Sequence, residues 1–303
     1  MSKPSIKPYN SLQSKKDQVK HMFNMIASKY DILNHTLSLG MDYVWRKKAI
    51  KKILNNPKKI LDIATGTADF AISAAKHTKA NITGIDISDQ MIYVGNKKIQ
   101  QKKLNNRIKL SIEDSENLPF DNDSYDAITA GFGVRNFENL EKGLSEIYRV
   151  VKKNGYVVIL EPSTPKVFPL KQIFSFYFQK ILPFIGSLVS KDKSAYSYLP
   201  NSVKSFPDGD NFLEILKDAQ VFDDTLVLFG SGMIYVSIHS NRNLPVLLAG
   251  GGLKHQGHVI CPEEQHKRVP LSNLWLSVLQ WFGAEEADHF GRSTGTFSPM
   301  EIG

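Results

Sequence analysis

The chain has 303 residues, room for one large domain or two, and its 42% hydrophobic and 22% charged content is that of an ordinary globular protein. Its single cysteine, Cys261, excludes an internal disulfide framework and suits a reducing, cytoplasmic setting. No run reaches the roughly 18 apolar residues of a membrane-spanning helix, and the polar N-terminus lacks the apolar core of an export signal.

The net charge of +8 is unevenly spread. Thirteen Lys or Arg against three Asp give residues 1–60 a charge of +10, while 25 basic and 27 acidic groups leave the rest at −2. Such a basic segment suits nucleic acid or an anionic membrane surface, or, more plainly, a solvated helix face. Residues 1–14, with Pro4 and Pro8 among polar residues, read as disordered. Val19, Met22, Phe23 and Ile26 fall at helical spacing and predict a helix over 15–28. Gly40 ends a short element, a second helix is expected over 42–54, and Pro57 closes it. We read 15–56 as a helical extension able to act as a lid, with Trp45 as a core aromatic.

The stretch around which the chain is organised follows. Ile60, Leu61 and Ile63 form a buried strand, Gly66 breaks the pattern, and apolar and small residues resume from Phe70 at helical spacing. Such a turn lets a ligand approach the backbone, and the helix N-terminus behind it favours polar or anionic groups. Twenty residues beyond Gly66, a second apolar strand ends in Asp86, placed to accept hydrogen bonds from both hydroxyls of a ribose. The loop lacks the further glycines of a pyrophosphate-binding turn: Ala64 and Ala68 flank Gly66. A nucleoside without phosphate fits better, and S-adenosylmethionine is the common cofactor of that kind.

A helix over 88–103, with Ser88 as its cap, precedes a strand over 108–112. Glu113, Asp114 and Ser115 follow that strand, where a carboxylate and a hydroxyl can meet an adenine edge. A strand over 125–130 opens into 131–137, and a helix over 138–151, the turn Asn154-Gly155 and a strand over 156–162 follow. Strands alternating with helices imply a doubly wound, mostly parallel sheet. Residues 168–189 are apolar and aromatic, suited to capping an apolar substrate, resting on a membrane, or forming an ordinary core helix pair. A helix over 210–218 and a hairpin of 225–229 and 233–238, turning at Gly230-Ser231-Gly232, would complete the sheet.

Over about 15–218 the chain resembles the C-methyltransferases of menaquinone and ubiquinone biosynthesis. The likeness rests on Ala27-Ser28-Lys29-Tyr30-Asp31 with Asn34, Leu37-Ser38-Leu39-Gly40, Trp45-Arg46 and the Asp62-to-Asp69 loop. It extends through Glu116-Asn117-Leu118-Pro119-Phe120, Phe132-Gly133-Val134-Arg135-Asn136 and Tyr198-Leu199-Pro200. The resemblance implies a class I Rossmann-like methyltransferase fold, S-adenosylmethionine as donor and a prenylated demethylmenaquinol or related benzoquinol as acceptor. It implies that Asp62, Thr67, Asp86, Asp114 and Ser115 line the cofactor site, with Gly66 giving backbone access. It places Arg135, Asn136 and Tyr30 at the quinol. Arg135 would steady a phenolate, since a guanidinium stays protonated; the alternative for it is a salt bridge to Glu161. We expect a cytoplasmic enzyme with peripheral contact to the inner face of the membrane, no nucleic-acid partner, and room for a homodimer.

Past Asp218 the likeness fails. Residues 222–303 resemble the C-terminal end of an uncharacterised bacterial family similar in outline to sulfatases and alkaline phosphatases, so the chain reads as chimeric. We take 15–238 as the methyltransferase domain and 239–303 as a fused fragment without hydrolase activity. His255, His258, Cys261 and His266 match no closed zinc pattern, and no metal is assigned. The alternative function is a methyltransferase fold that binds the cofactor but is disrupted by the foreign C-terminus.

Overall fold

The computed structural model describes residues 6–38, 40–53, 56–162, 172, 193–207, 210–218, 226–229 and 247–249. The first helix, α1 (Lys15–Leu37), starts at Ser14, whose hydroxyl accepts from the Asp17 amide. It runs nine residues past the expected end at 28, because Leu33 continues the buried stripe of Val19 and Met22. After Gly40, at φ 74°, the chain enters α2 (Met41–Ile50). Within the stretch 1–14, read from composition as disordered, residues 8–13 are bends tied to α1: Gln18 accepts from the Tyr9 amide and donates to the Ser11 and Gln13 carbonyls.

Next come β1 (Lys59–Ile63), α3 (Asp69–His77), β2 (Asn81–Asp86), α4 (Asp89–Gln101), β3 (Ile108–Ile112), β4 (Tyr125–Gly131), a single 3-10 turn (Val134–Asn136), α5 (Leu140–Val150) and β5 (Val151–Leu160). Beyond them are α6 (Lys193–Ser205), α7 (Asp210–Asp218), β6 (Leu226–Phe229) and β7 (Leu247–Ala249). The sheet order is β3-β2-β1-β4-β5-β6-β7, with β1 to β6 parallel wherever they pair. This is a doubly wound, Rossmann-like fold, as the alternation of strands and helices implies. The strand order reverses between β1 and β4, so the loops leaving their carboxyl ends diverge and open a crevice.

The core is built as the apolar runs require. Leu61, Ile63, Ile85, Ile128 and Ile159 are fully buried in the sheet, and Leu144, Ile147 and Phe212 cover one face. One element differs from expectation: Asn154-Gly155 is not a turn before β5 but an irregularity within it, where Val151 faces Tyr125 and Tyr156 faces Ala127. The strand expected over 225–229 is β6, which extends the sheet parallel to β5, with Leu226 opposite Tyr156 and Phe229 opposite Ile159; 233–238, its expected partner limb, lies outside the described residues. So do 168–189 apart from Gln172, and 239–303 apart from β7. The chain divides into two compact units, 1–248 and 249–303.

Candidate active site

The loop after β1 curls through three left-handed residues, Ala64 at φ 51°, Gly66 at 55° and Ala68 at 69°. Two alanines in this region carry strain that glycine would not. At Gly66 a Cβ would meet nothing within 4 Å, so the space in front of this turn is open to a ligand. The Gly66 amide donates to Asp86 Oδ2 at 2.9 Å and the Ser88 amide to Asp86 Oδ1 at 2.9 Å. The Asp86 carboxylate is therefore aimed, and each oxygen keeps a lone pair free. Burial pushes its pKa up to about 6 against those amide hydrogen bonds.

A cleft of about 670 Å³, counted out to its mouth, lies beyond the ends of β1, β2, β3 and β4. That is within the range of small-molecule sites. Of the residues expected from sequence, Gly66, Asp86, Asp114, Ser115, Tyr30 and Asn136 line it. The other three do not. Asp62 is wholly buried beneath the loop and accepts from Thr65 Oγ1 and Thr129 Oγ1, both at 2.6 Å. Thr67 turns its hydroxyl to Asp31 at 2.5 Å and accepts from Lys98 at 3.1 Å, away from the cleft.

Arg135 is the third. Its Nη1 pairs with Glu161 Oε2 at 2.7 Å and donates to the Phe132 carbonyl, so the salt bridge is the arrangement observed. Burial raises the Glu161 pKa while Arg135 opposes the shift. The Arg135 Nε is buried without an acceptor among the described residues. Phe132, at φ 62°, packs edge-on to Trp45 at 6.4 Å and lies 5.6 Å from the Arg46 guanidinium carbon. Asn136 stays in the cleft, its Oδ1 accepting from Tyr198 Oη at 3.1 Å. Tyr30 reaches the cleft from α1, and burial raises its pKa despite the nearby Arg135 and Arg46.

Sequence reasoning missed how α1 meets this cleft. Lys16 pairs with Asp114 Oδ2 at 2.7 Å and Glu116 at 3.2 Å. Burial opposes its charge, but hydrogen bonds to the two acids prevail and raise its pKa. Lys15 donates to the Arg135 and Phe137 carbonyls, and its amide donates to Glu138. Asn24 takes a hydrogen bond from Ser88 Oγ at 2.6 Å and gives one to Asp89 at 2.8 Å. Asp31 holds Thr67 and, at 2.6 Å, Lys98. The sequence hinted at a helical lid and at a basic N-terminal segment, but neither names these partners. The donor atoms of Asp31, His35 and Asp69 lie within 4.8 Å of one another, and Lys98, 2.6 Å from both carboxylates, supplies a positive charge there.

The arrangement fits an adenosyl cofactor: an open approach at Gly66, an aimed carboxylate at Asp86, and Asp114 with Ser115 at the next strand end. The comparisons point the same way. A sequence profile of the ubiE/COQ5 methyltransferase family matches residues 11–241. A demethylmenaquinone methyltransferase of Bacteroides fragilis is 50% identical over 207 residues, 68% of this chain and 84% of that one. A ubiquinone/menaquinone biosynthesis C-methyltransferase UbiE of Geotalea daltonii is 47% identical over 204 residues, 66% and 86% of the two chains. Among solved structures, a SAM-dependent methyltransferase of Thermotoga maritima, titled a possible histamine N-methyltransferase, has a TM-score of 0.51 at 20% identity over 76% of this chain and 93% of its own. The [4+2]-cyclase SpnF also reaches 0.51, at 16% identity over 69% and 73%. At these identities the two structures speak for the fold alone.

Proposed function

This chain belongs to the ubiE/COQ5 methyltransferase family, and from that premise we propose that it methylates a ring carbon of a prenylated quinol, with demethylmenaquinol as the substrate. S-adenosylmethionine, when bound, supplies a sulfonium methyl group. The observation that carries the reading is that one cleft is lined by both kinds of residue. Gly66, Asp86, Asp114 and Ser115 come from the ends of β1 to β3 and suit a nucleoside, whereas Tyr30, Phe132 and Asn136 come from α1 and the loop after β4 and suit an aromatic ring bearing hydroxyls.

In this reading Asp86 accepts from the ribose hydroxyls, and Asp114 with Ser115 meets the adenine edge. Tyr30 and Asn136 orient the quinol hydroxyl that must lose its proton, because a phenolate pushes more density into the attacking carbon. With Tyr198 occupying its Oδ1 and the Phe132 carbonyl taking one N–H of its Nδ2 at 3.4 Å, the Asn136 amide keeps its second N–H to donate. Arg135 acts behind Asn136: it holds the Phe132 carbonyl and Glu161 and so fixes the loop that carries the amide. Asp62 and Thr67 support the cofactor loop from below and from the α1 side. Holding two carbons in line supplies several kcal/mol of the barrier, and α1 serves as the lid that completes the enclosure. The enzyme works in the cytoplasm at the inner face of the membrane, where a prenylated substrate resides.

The test is methyl transfer from labelled S-adenosylmethionine to a reduced demethylnaphthoquinol, by the full chain and by a form ending at Ile238. Methylated quinol from either supports the reading. Cofactor binding by both without product would sink the quinol assignment.

A further inference from the structure

We propose that the outer face of α1 and α2 docks the protein on a bilayer carrying anionic lipids. α2 is built inside out. Its Asp42, Arg46 and Ile50 are buried, with Asp42 and Arg46 paired to each other, while Tyr43 and Val44 face solvent at 55% and 41% exposure. The same outward stripe continues one turn on as Lys47 and Lys48 and ends at Lys51, all exposed. These three lysines enter no ion pair among the described residues.

On α1, Met25 and Ile32, two turns apart on one face, are 61% and 66% exposed. The two helices meet where Tyr43 stacks on His35 at 4.3 Å, one turn from Ile32. Five of the seven large apolar side chains exposed among the described residues therefore fall between Leu12 and Val44. That is the most basic part of the chain.

Apolar and tyrosine side chains bordered by unpaired lysines form the pattern that seats a helix at a lipid–water boundary, the lysines meeting headgroup charge. Nucleic acid would account for the lysines but not for Met25, Ile32 and Val44. The opposite side of α1 supplies Phe23 and Tyr30 to the cleft. One helix thus stands between the bilayer and the pocket that a membrane-borne substrate must enter. The inference rests on the quinol reading only for why such a surface is useful; lipid binding is read without turnover.

The test is co-sedimentation of the full chain with vesicles of phosphatidylcholine alone or with about one third phosphatidylglycerol. Binding is expected to the anionic vesicles only and to weaken at about 0.5 M salt. Each lysine at an anionic surface strengthens binding about fivefold, so Lys47→Gln, Lys48→Gln and Lys51→Gln together are expected to weaken it about 100-fold. Replacing Tyr43 and Val44 by serine is expected to abolish the binding that survives salt. Methylation of a short-chain, water-soluble quinol should be unchanged in both variants, and its absence in the parent would count against the quinol reading alone. No binding by the parent, equal binding to neutral vesicles, undiminished binding by the triple variant, or tighter binding to a single-stranded oligonucleotide would each overturn the proposal.

Discussion

Asp62→Asn separates a structural from a cofactor-binding carboxylate. Asp62 is completely buried on β1, its two oxygens taken by the hydroxyls of Thr65 and Thr129. Burial lifts its pKa from 3.8 to about 6, the two threonine hydrogen bonds only partly offsetting it. A carboxyl that binds its proton more tightly folded than unfolded contributes stability below its unfolded value, and that stability is lost as pH rises through the folded one. Two pKa units and a little more, at about 1.4 kcal/mol each, give about 3 kcal/mol lost between roughly pH 4 and pH 6. Asparagine is isosteric and cannot ionise, and a threonine hydroxyl can rotate to accept from its amide. The variant should therefore match the parent near pH 4 and exceed it by up to about 3 kcal/mol above pH 6. Urea unfolding of both proteins at half-unit intervals across this window measures the difference, which also subtracts the parallel titration of Asp86. Affinity for S-adenosylmethionine should stay within a few-fold, because Asp62 does not line the cleft. A difference independent of pH would refute the buried, ionising Asp62, and one of opposite slope would mean that its pKa is depressed.

Two further outcomes are expected. Glu161→Gln strands the buried Arg135 and should cost about 3–5 kcal/mol in urea unfolding, whereas Arg135→Met with Glu161→Leu should recover most of it; a single-variant cost below about 1 kcal/mol would remove the pair from the account of this loop. Lys16→Met breaks a pair with Asp114, about one third exposed, and one with the buried Glu116, which keeps its hydrogen bonds from the Glu138 and Asn139 amides, so stability should fall by about 1–2 kcal/mol, and S-adenosylmethionine should exchange faster in stopped-flow fluorescence; unchanged on- and off-rates would mean that α1 does not gate the cofactor.

What the sequence made legible is what local pattern encodes. The five apolar runs became β1 to β5 because a parallel sheet covered on both faces needs near-continuous hydrophobic strands. Gly66 and Asp86 were readable because their separation follows from the length of one strand–helix–strand unit. The residues that missed the cleft share a different cause. Asp62 is claimed by Thr129, 67 positions away, Thr67 by Asp31 at 36 and Arg135 by Glu161 at 26. Which way each side chain points is decided by a partner on another element, and no periodicity carries that information. The same holds for Lys16, whose acid lies 98 positions on. Helix α1 was read short because its later turns hold Asp31, Asn34 and His35, polar residues that weaken an amphipathic pattern.

Those polar residues explain why α1 is more than a cover. It sends a side chain to the loop at the end of each of the first four strands. Asp31 reaches the β1 loop, Asn24 the β2 loop, Lys16 the β3 loop and Lys15 the β4 loop. A helix that only packed on the sheet would need apolar contacts, and α1 has those at Val19, Met22 and Leu33. The polar set does something else: it makes the spacing of the four loops depend on where one rigid rod sits. The links are not equal: Lys15 reaches the Phe137 carbonyl in a buried hydrogen bond, whereas the Lys16–Asp114 pair is about one third exposed and worth no more than about 1 kcal/mol. The Lys16 link can therefore break and reform while the buried one holds. Lys16 occupies Asp114, the acid expected to meet adenine, so seating the nucleoside and seating α1 compete for one carboxylate oxygen. The other oxygen accepts from the Glu116 amide in either case. On the proposed function, cofactor entry would thereby be coupled to the helix that carries Tyr30.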